Sequence, residues 1–93
     1  MIIRAYSIFD VKGSVFHTPW FQHTDALAMR TLHDLVNDPS TTIGRHPADF
    51  RLYFIGTYDD QLGLMMPVTP LAHVCEAVSL TVNAPTLASN EEN

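Results

Sequence analysis

Alternating apolar residues in two parts of the chain predict two β-hairpins. The first spans residues 2–18, where a strand-rich run breaks at Lys12-Gly13 and glycine can adopt the positive φ of a turn. The second joins FRLYFIGTYD, residues 50–59, to a short strand, LMMPV. We expect that strand to end at Pro67, because proline has no N–H to donate to a sheet. Gly56, inside the longer strand, predicts a bulge or the close approach of another backbone.

Between the hairpins the apolar period changes to that of an α-helix. Thr24 is the expected N-cap, Asn37 can close the helix, and Pro39 prevents its continuation. One stripe of the helix is apolar, and it consists of Ala28, Met29, Leu32, Leu35 and Val36. The polar segment that follows, up to Asp49, is expected to be a loop punctuated by Pro39, Gly44 and Pro47.

The stretch TPLAHVCEAVSL, residues 69–80, predicts a second helix. Thr69 can cap it, and Pro70 suits the first helical position. Its apolar face would contain Leu71, Val74, Cys75 and Val78. Residues 83–93 are small, polar and acidic, which is typical of a mobile tail. The sequence therefore divides into one domain, residues 1–82, and a tail, residues 83–93.

Together these elements predict a single α+β domain in which an antiparallel sheet from two hairpins packs against the central helix, in the order ββαββ followed by the C-terminal helix. Both faces of such a sheet are apolar: one strand offers Ile2, Tyr6 and Ile8, and another carries a row of aromatic residues. A sheet with two apolar faces needs cover on both. The C-terminal helix or a second copy of the chain would supply it, so a homodimer is the expected assembly.

Composition narrows the classes of function. The chain has 93 residues, of which 46% are hydrophobic and 16% charged, so it is expected to fold rather than remain disordered. Its net charge is −5, which argues against DNA binding driven by a large basic surface. A local basic patch remains compatible with the dispersed cations, which are Arg4, Lys12, Arg30, Arg45 and Arg51.

Cysteine usage and hydropathy point to the cytoplasm. Cys75 is the single cysteine, so no intrachain disulfide can form, as is usual in a reducing compartment. No apolar run approaches the roughly 20 residues that cross a membrane, and the N-terminus lacks the pattern of a signal peptide. We therefore expect no membrane partner.

Residue patterns for catalysis or metal binding are weak. The five histidines lack the spacing that places two ligands on one helical face, and there is no Cys-x-x-Cys pair. Cys75 lies on an apolar stripe, where it would act as a small hydrophobic residue rather than a nucleophile. Asp59 and Asp60 suit a turn better than an acid–base pair. We expect no enzyme activity, no catalytic residues, no metal and no cofactor.

Two groups of residues are candidates for binding. Aromatic residues of the strand at 50–59 could stack on bases, either through Tyr53 or through the face with Phe54 and Tyr58, although such residues more often belong to a core. With nearby cations they give a candidate nucleic-acid set: Arg45, Arg51, Lys12 and Tyr53. Trp20 and Phe21 form an apolar corner that either packs over the end of the core or anchors a protein partner.

The stretches YSIFDVKG, DLVNDPSTTIGRHPADFRLYFIGTYDDQLG and PLAHV together resemble a small viral family. The resemblance is to the nonstructural protein of gokushoviruses, which are single-stranded-DNA bacteriophages of the microvirus group. It covers roughly residues 4–75. Its most specific parts are Asp10-Val11-Lys12, the LVNDP at the end of the helix, and the segment from HPADF to IGTYDD.

The resemblance implies a non-enzymatic accessory protein that is made in the infected bacterial cytoplasm and is absent from the mature virion. Members of that family are described as DNA-binding or as acting in viral DNA replication, in the switch to single-strand synthesis and packaging. The resemblance implies no catalytic residues. The alternative is a protein–protein interaction module that acts on a viral replication or procapsid protein without touching DNA.

Overall fold

A computed structural model of the protein describes residues 1–82. The fold is α+β with an antiparallel sheet, as expected. The strands pair in the order β2-β1-β4-β5, and β3 also pairs with β1. The elements along the chain are β1 (Ile2–Asp10), β2 (Val15–Phe16), β3 (Trp20–Gln22), α1 (Asp25–Val36), α2 (Thr42–Arg45), a 3₁₀ turn (Pro47–Asp49), β4 (Phe50–Asp59), β5 (Leu64–Glu76) and a second 3₁₀ turn (Ala77–Leu80).

Helix α1 forms where the apolar period predicts it. The Thr24 hydroxyl accepts a hydrogen bond from the Leu27 N–H at 3.2 Å, and Asn37 ends the helix. The apolar stripe faces the sheet and fills the core, with Met29 and Leu35 at its margin. The buried residues of this core cluster are Tyr6, Ile8, Ala28, Leu32, Val36, Ile43, Phe50, Leu52 and Ala77.

The central pair of strands, β1 and β4, contains an irregularity at Gly56. Ala5 pairs with Gly56 and Tyr6 with Phe54, so Ile55 is an extra residue in β4. A Cβ atom on Gly56 would lie 2.5 Å from the Met66 carbonyl oxygen of β5. The predicted close approach of another backbone at this glycine is confirmed.

The predicted C-terminal helix is wrong, because residues 69–76 continue β5 and residues 77–80 form only a 3₁₀ turn. The predicted end of the fourth strand at Pro67 is wrong for the same reason. β5 tolerates Pro67 and Pro70 because it lies at the edge of the described sheet, where a missing N–H removes fewer ladder bonds. Its register with β4 also breaks there: Gly56 pairs with Pro67 and Phe54 with Ala72.

The order ββαββ also needs correction before and after α1. Trp20 lies in the short strand β3, because β1 is long enough to pair with β2 near one end and with β3 further along. The loop expected after α1 contains α2, which is capped by the Thr41 hydroxyl. In the first hairpin it is Ser14, with φ 53°, and not Gly13 that adopts the left-handed conformation. The predicted tail, residues 83–93, lies outside the described residues.

Two further observations apply to residues 1–82. No helix there combines the length and apolar character needed to span a bilayer. No three side chains of His, Cys, Asp or Glu in that range converge as metal ligands would.

Candidate binding face

The sheet has one face packed against α1 and an opposite face that carries aromatic rings. Four adjoining rings lie on that face, one from each of β2, β1, β4 and β5, and we call them the aromatic row: Phe16, Phe9, Tyr53 and His73. Phe9, Phe16 and Tyr53 form a triangle, with ring centroids 4.7 Å apart for Phe9 and Phe16, 5.6 Å for Phe16 and Tyr53, and 6.5 Å for Phe9 and Tyr53. The His73 ring lies 5.5 Å from that of Tyr53. The row is therefore continuous from one edge of the sheet to the other.

Strand alternation explains why these rings share a face. Phe9 pairs with Phe16 and with Arg51, while Tyr53 pairs with His73, and cross-strand partners project to the same side of a sheet. The intervening residues Ile8 and Leu52 pair with each other and point into the core. The residues of the row therefore alternate along each strand with core residues and project from the opposite face of the sheet.

The aromatic row is open to solvent. Phe16 is 40% exposed, His73 is exposed, and Phe9 and Tyr53 are half-buried. The described part of the chain has no second helix comparable to α1 that could cover this face. Adjoining aromatic rings with this exposure are typical of a contact surface rather than of a core.

A charged group of three residues, the Arg51–Glu76–His73 trio, lies at one end of the row. The Arg51 Nε donates to Glu76 Oε1 at 3.3 Å, and His73 Nε2 lies 2.6 Å from Glu76 Oε2. The three side chains are 42%, 41% and 45% exposed, respectively. One carboxylate therefore contacts two nitrogen groups that border the aromatic row.

The other candidate nucleic-acid residues lie elsewhere. Arg45 donates to the carbonyl oxygens of Pro39 and Ser40, so it holds the loop before α2 rather than joining the row. Lys12 is exposed in the turn between β1 and β2. Of the four residues predicted from the sequence, the structure brings together Arg51 and Tyr53.

Trp20 and Phe21, the predicted apolar corner, point in opposite directions from β3. Trp20 packs against the core, with its ring centroid 6.2 Å from that of Tyr6. Phe21 is 43% exposed and contacts Tyr58, with ring centroids 5.8 Å apart. The two residues therefore do not form one surface.

Sequence reasoning missed His73 and Glu76, because it placed both on a helix. It also missed Phe9 and Phe16 as a pair that extends the row. The useful signal was the opposite charge of Arg51 and Glu76, which becomes a cross-strand pair once β5 is aligned with β4.

On the packed side of the sheet, a polar cluster ties β1 to the start of α1. Tyr6 donates its hydroxyl proton to Asp25, and Arg4 donates to both, at 2.8 Å to the Tyr6 hydroxyl and 2.9 Å to Asp25 Oδ1. The hydrogen bond from Tyr6 is the main reason why the pKa of Asp25 is lowered. Burial, followed by the bond to Asp25, raises the pKa of Tyr6. The cluster is consistent with a structural role.

Cys75 pairs with Leu52 and borders the core. Burial, with a smaller contribution from the Glu76 carboxylate, raises the pKa of its thiol to about 11. A thiol with this pKa is almost entirely protonated at neutral pH and is a poor nucleophile.

Three comparisons with known proteins complete these observations. The chain matches the sequence model of the Phage ORF5 protein family over residues 3–80. Searches of curated proteins and of solved structures each gave no significant match.

Proposed function

The chain belongs to the Phage ORF5 protein family, and we propose that this small phage accessory protein binds single-stranded DNA through the aromatic row. The observation that supports the proposal is a group of four adjoining rings, from four of the five strands, on a sheet face that the described residues leave open. Single-stranded nucleic acids bind by stacking successive bases on such rings.

Stacking accounts for DNA binding by an acidic protein. Each base stacked on an aromatic side chain contributes about 1–3 kcal/mol, and every base has a face that can stack. The net charge of −5 makes a phosphate-driven mode unfavourable, and Arg51 is already paired with Glu76. We therefore expect modest affinity, little sequence preference and a shallow dependence on salt.

The size of the row limits the length of DNA that one molecule contacts. The rings of Phe9, Phe16 and Tyr53 lie within 6.5 Å of one another, and His73 lies 5.5 Å from Tyr53, so the row is small. Sheets that present aromatic rings in this manner stack two or three bases. One copy should therefore contact a few nucleotides.

We place this activity in the infected bacterial cytoplasm, as the resemblance to gokushovirus nonstructural proteins implies. The protein would act during single-strand synthesis or packaging and would be absent from the mature virion. An open stacking surface suits that stage, because the newly made viral strand is unpaired and presents its bases.

A matched pair of exposed phenylalanines tests the proposal. Phe16 lies in the row and Phe21 outside it, and they are 40% and 43% exposed. We expect Phe16→Leu to weaken binding of a fluorescent oligothymidylate by at least about fivefold, or about 1 kcal/mol, because leucine cannot stack. Phe21→Leu should bind as the wild type does. Equal affinities of all three proteins in fluorescence anisotropy would contradict the proposed role of the row.

A second candidate function is a protein–protein interaction module, and a different surface favours it. The end of the β4–β5 hairpin carries exposed apolar side chains next to the N-terminus, and we call this surface the apolar tip: Met1, Ile2, Leu62, Leu64, Met65 and Met66. Leu62 is 69% exposed and Met66 58%. Exposed apolar groups of this kind suit a second copy of the chain or a viral replication or capsid-assembly protein.

The two functions separate experimentally. A Met65→Ser/Met66→Ser double variant should lose a complex with a purified viral partner, or with a second copy in sedimentation velocity, and keep its affinity for oligothymidylate. If the double variant still forms the complex, the apolar tip is not the interface.

A further inference from the structure

We propose that Arg51 and His73 form a site for one backbone phosphate of the DNA strand, and that Glu76 occupies this site in the free protein. The inference rests on the proposed DNA-binding function and adds that Glu76 weakens DNA binding. Its basis is the geometry of the Arg51–Glu76–His73 trio beside the aromatic row.

The Glu76 carboxylate is held as a phosphate would be. One of its oxygens accepts from Arg51 Nε at 3.3 Å, and the other lies 2.6 Å from His73 Nε2. The two nitrogen groups come from adjacent strands, β4 and β5, and converge on one anion. A guanidinium group and a histidine ring N–H can both donate hydrogen bonds to phosphate oxygens.

The trio lies where a bound strand would bring its backbone. The His73 ring is itself the end of the row, at 5.5 Å from Tyr53, and Arg51 is the cross-strand partner of Phe9. A base stacked on Tyr53 would leave its sugar and phosphate beside the ring, within the range of either nitrogen group. The stacking surface and the anion site are thus continuous.

The arrangement can exchange one anion for another. Each of the three side chains is more than two-fifths exposed, and ion pairs at such positions contribute little to stability. Within residues 1–82 no hydrogen bond involves the two terminal Nη atoms of Arg51, so a phosphate can approach them before Glu76 leaves. Displaced from Arg51 and His73, Glu76 can remain hydrated at the edge of the sheet.

Glu76 therefore has a predictable effect on affinity. In the free protein it neutralises Arg51, so the site offers the phosphate backbone no net positive charge. Glu76→Gln keeps the shape of the side chain and removes the charge, so we expect it to bind oligothymidylate several-fold more tightly. The slope of log K against log salt should steepen by up to about 0.7, the value for one phosphate contact on a single strand, because in the wild type Glu76 competes for the site and the contact forms in only part of the complexes.

A matched control comes from a second pair of histidine and carboxylate on the helix layer. His33 Nδ1 lies 3.4 Å from Asp34 Oδ1, and both residues are exposed on α1, which covers the other face of the sheet. Asp34→Asn changes the net charge by the same amount as Glu76→Gln. It should alter affinity only slightly and leave the salt slope unchanged.

The experiment measures oligothymidylate binding by fluorescence anisotropy across a sodium chloride series, for the wild type, Glu76→Gln, Asp34→Asn and the double variant Glu76→Gln/Arg51→Gln. The double variant should lose both the gain in affinity and the added slope. Circular dichroism confirms that each variant is folded. As a second readout, the ring resonances of His73 should shift when the oligonucleotide is added to the wild type.

The outcomes separate the two proposals. If Phe16→Leu weakens binding but Glu76→Gln matches Asp34→Asn in affinity and slope, the phosphate site is wrong and the stacking function stands. If Glu76→Gln binds tightly where the wild type binds weakly or not at all, the phosphate site is supported. If neither the wild type nor Glu76→Gln binds oligothymidylate, both proposals are overturned.

Discussion

The two faces of the sheet use neighbouring residues of the same strands for different purposes. Ile8 and Leu52 are 2% and 0% exposed against α1, whereas the next residues along, Phe9 and Tyr53, lie in the open row. The inward residues exclude water and stabilise the fold. The outward residues are surrounded by other rings but not enclosed. Because side chains alternate between the two faces of a strand, one residue contributes to stability and the next to the proposed binding. Substitutions at adjacent positions should therefore differ in their effects on stability and on DNA binding.

The most severe test of this contrast compares Leu52→Ala with Tyr53→Leu. Leu52 is fully buried, so its truncation should lower the free energy of unfolding by about 2–5 kcal/mol through lost burial and the cavity that remains. Tyr53→Leu should cost about 1 kcal/mol or less, the scale of a cross-strand pair. Urea unfolding followed by circular dichroism measures both values. Equal losses would show that the row is part of the core.

A smaller effect is expected at Gly56, where β4 and β5 approach each other. A Cβ there would meet the Met66 carbonyl oxygen at 2.5 Å and Pro67 Cα at 3.3 Å, both of which belong to backbone. Gly56→Ala should therefore destabilise the protein by about 1–3 kcal/mol, as overpacking does.

Gly13→Ala is the control for that substitution. Its nearest neighbours are atoms of the Asp10 side chain, which can move, so the free energy of unfolding should change little. If thermal unfolding shows the same loss for both alanine variants, the close approach of β5 to Gly56 is not what constrains this position.

Elements with a long, local residue pattern could be predicted correctly from the sequence. α1 has a capping threonine and several turns of apolar period, and β4 has ten residues of strand-forming character, so both were predicted with nearly correct bounds. The bounds of β5 were not predicted correctly. A helical period fits Leu71, Val74, Cys75 and Val78, but over too short a run to exclude a strand, and Pro67 suggested that the strand ended there. Its tolerance of proline depends on its edge position, which is a property of the sheet.

The candidate site was only partly predictable for the same reason. Tyr53 and Arg51 lie on β4, whose alternation can be read directly, and both were identified. His73 and Glu76 join them only through the pairing of β4 with β5, across two shifts of register. Phe16 joins through the pairing of β1 with a strand of two residues. Local sequence patterns do not encode such pairings.

On the packed side of the sheet, the hydrogen bond between Tyr6 and Asp25 should make the stability of the protein depend on pH. Tyr6→Phe removes the hydroxyl that donates to Asp25 and accepts from Arg4, so the free energy of unfolding should fall by about 1 kcal/mol near neutral pH. The pKa of Asp25 is lowered in the folded state, so its contribution is present above the unfolded value of 3.8 and is lost as the pH falls through the folded value. The stability difference between wild type and variant should therefore narrow in acid.

Urea unfolding of both proteins at pH 7 and at successively lower pH measures this difference. Arg4→Gln is a companion variant, because Arg4 contacts both members of the pair and its loss should also raise the pKa of Asp25. A stability difference that stays constant down to strongly acidic pH would show that the Asp25 carboxylate does not contribute through Tyr6.

The smallest expected effect concerns adjacent residues of β5 and needs no change in stability. Cys75 borders the core beside Leu52, and Glu76 lies on the open side beside Arg51. Because the pKa of Cys75 is raised to about 11, little thiolate exists at pH 8, and burial further restricts access. Labelling by a thiol-reactive disulfide reagent should be slow in the folded protein and fast in urea. Replacing Glu76 by Gln should raise the labelling rate of the folded protein only slightly, because burial is the larger cause of the raised thiol pKa.

Rapid labelling of the folded wild type would show that the packed side of β5 opens readily. The contrast between the two faces of the sheet would then be weaker along this edge strand than in β1 and β4.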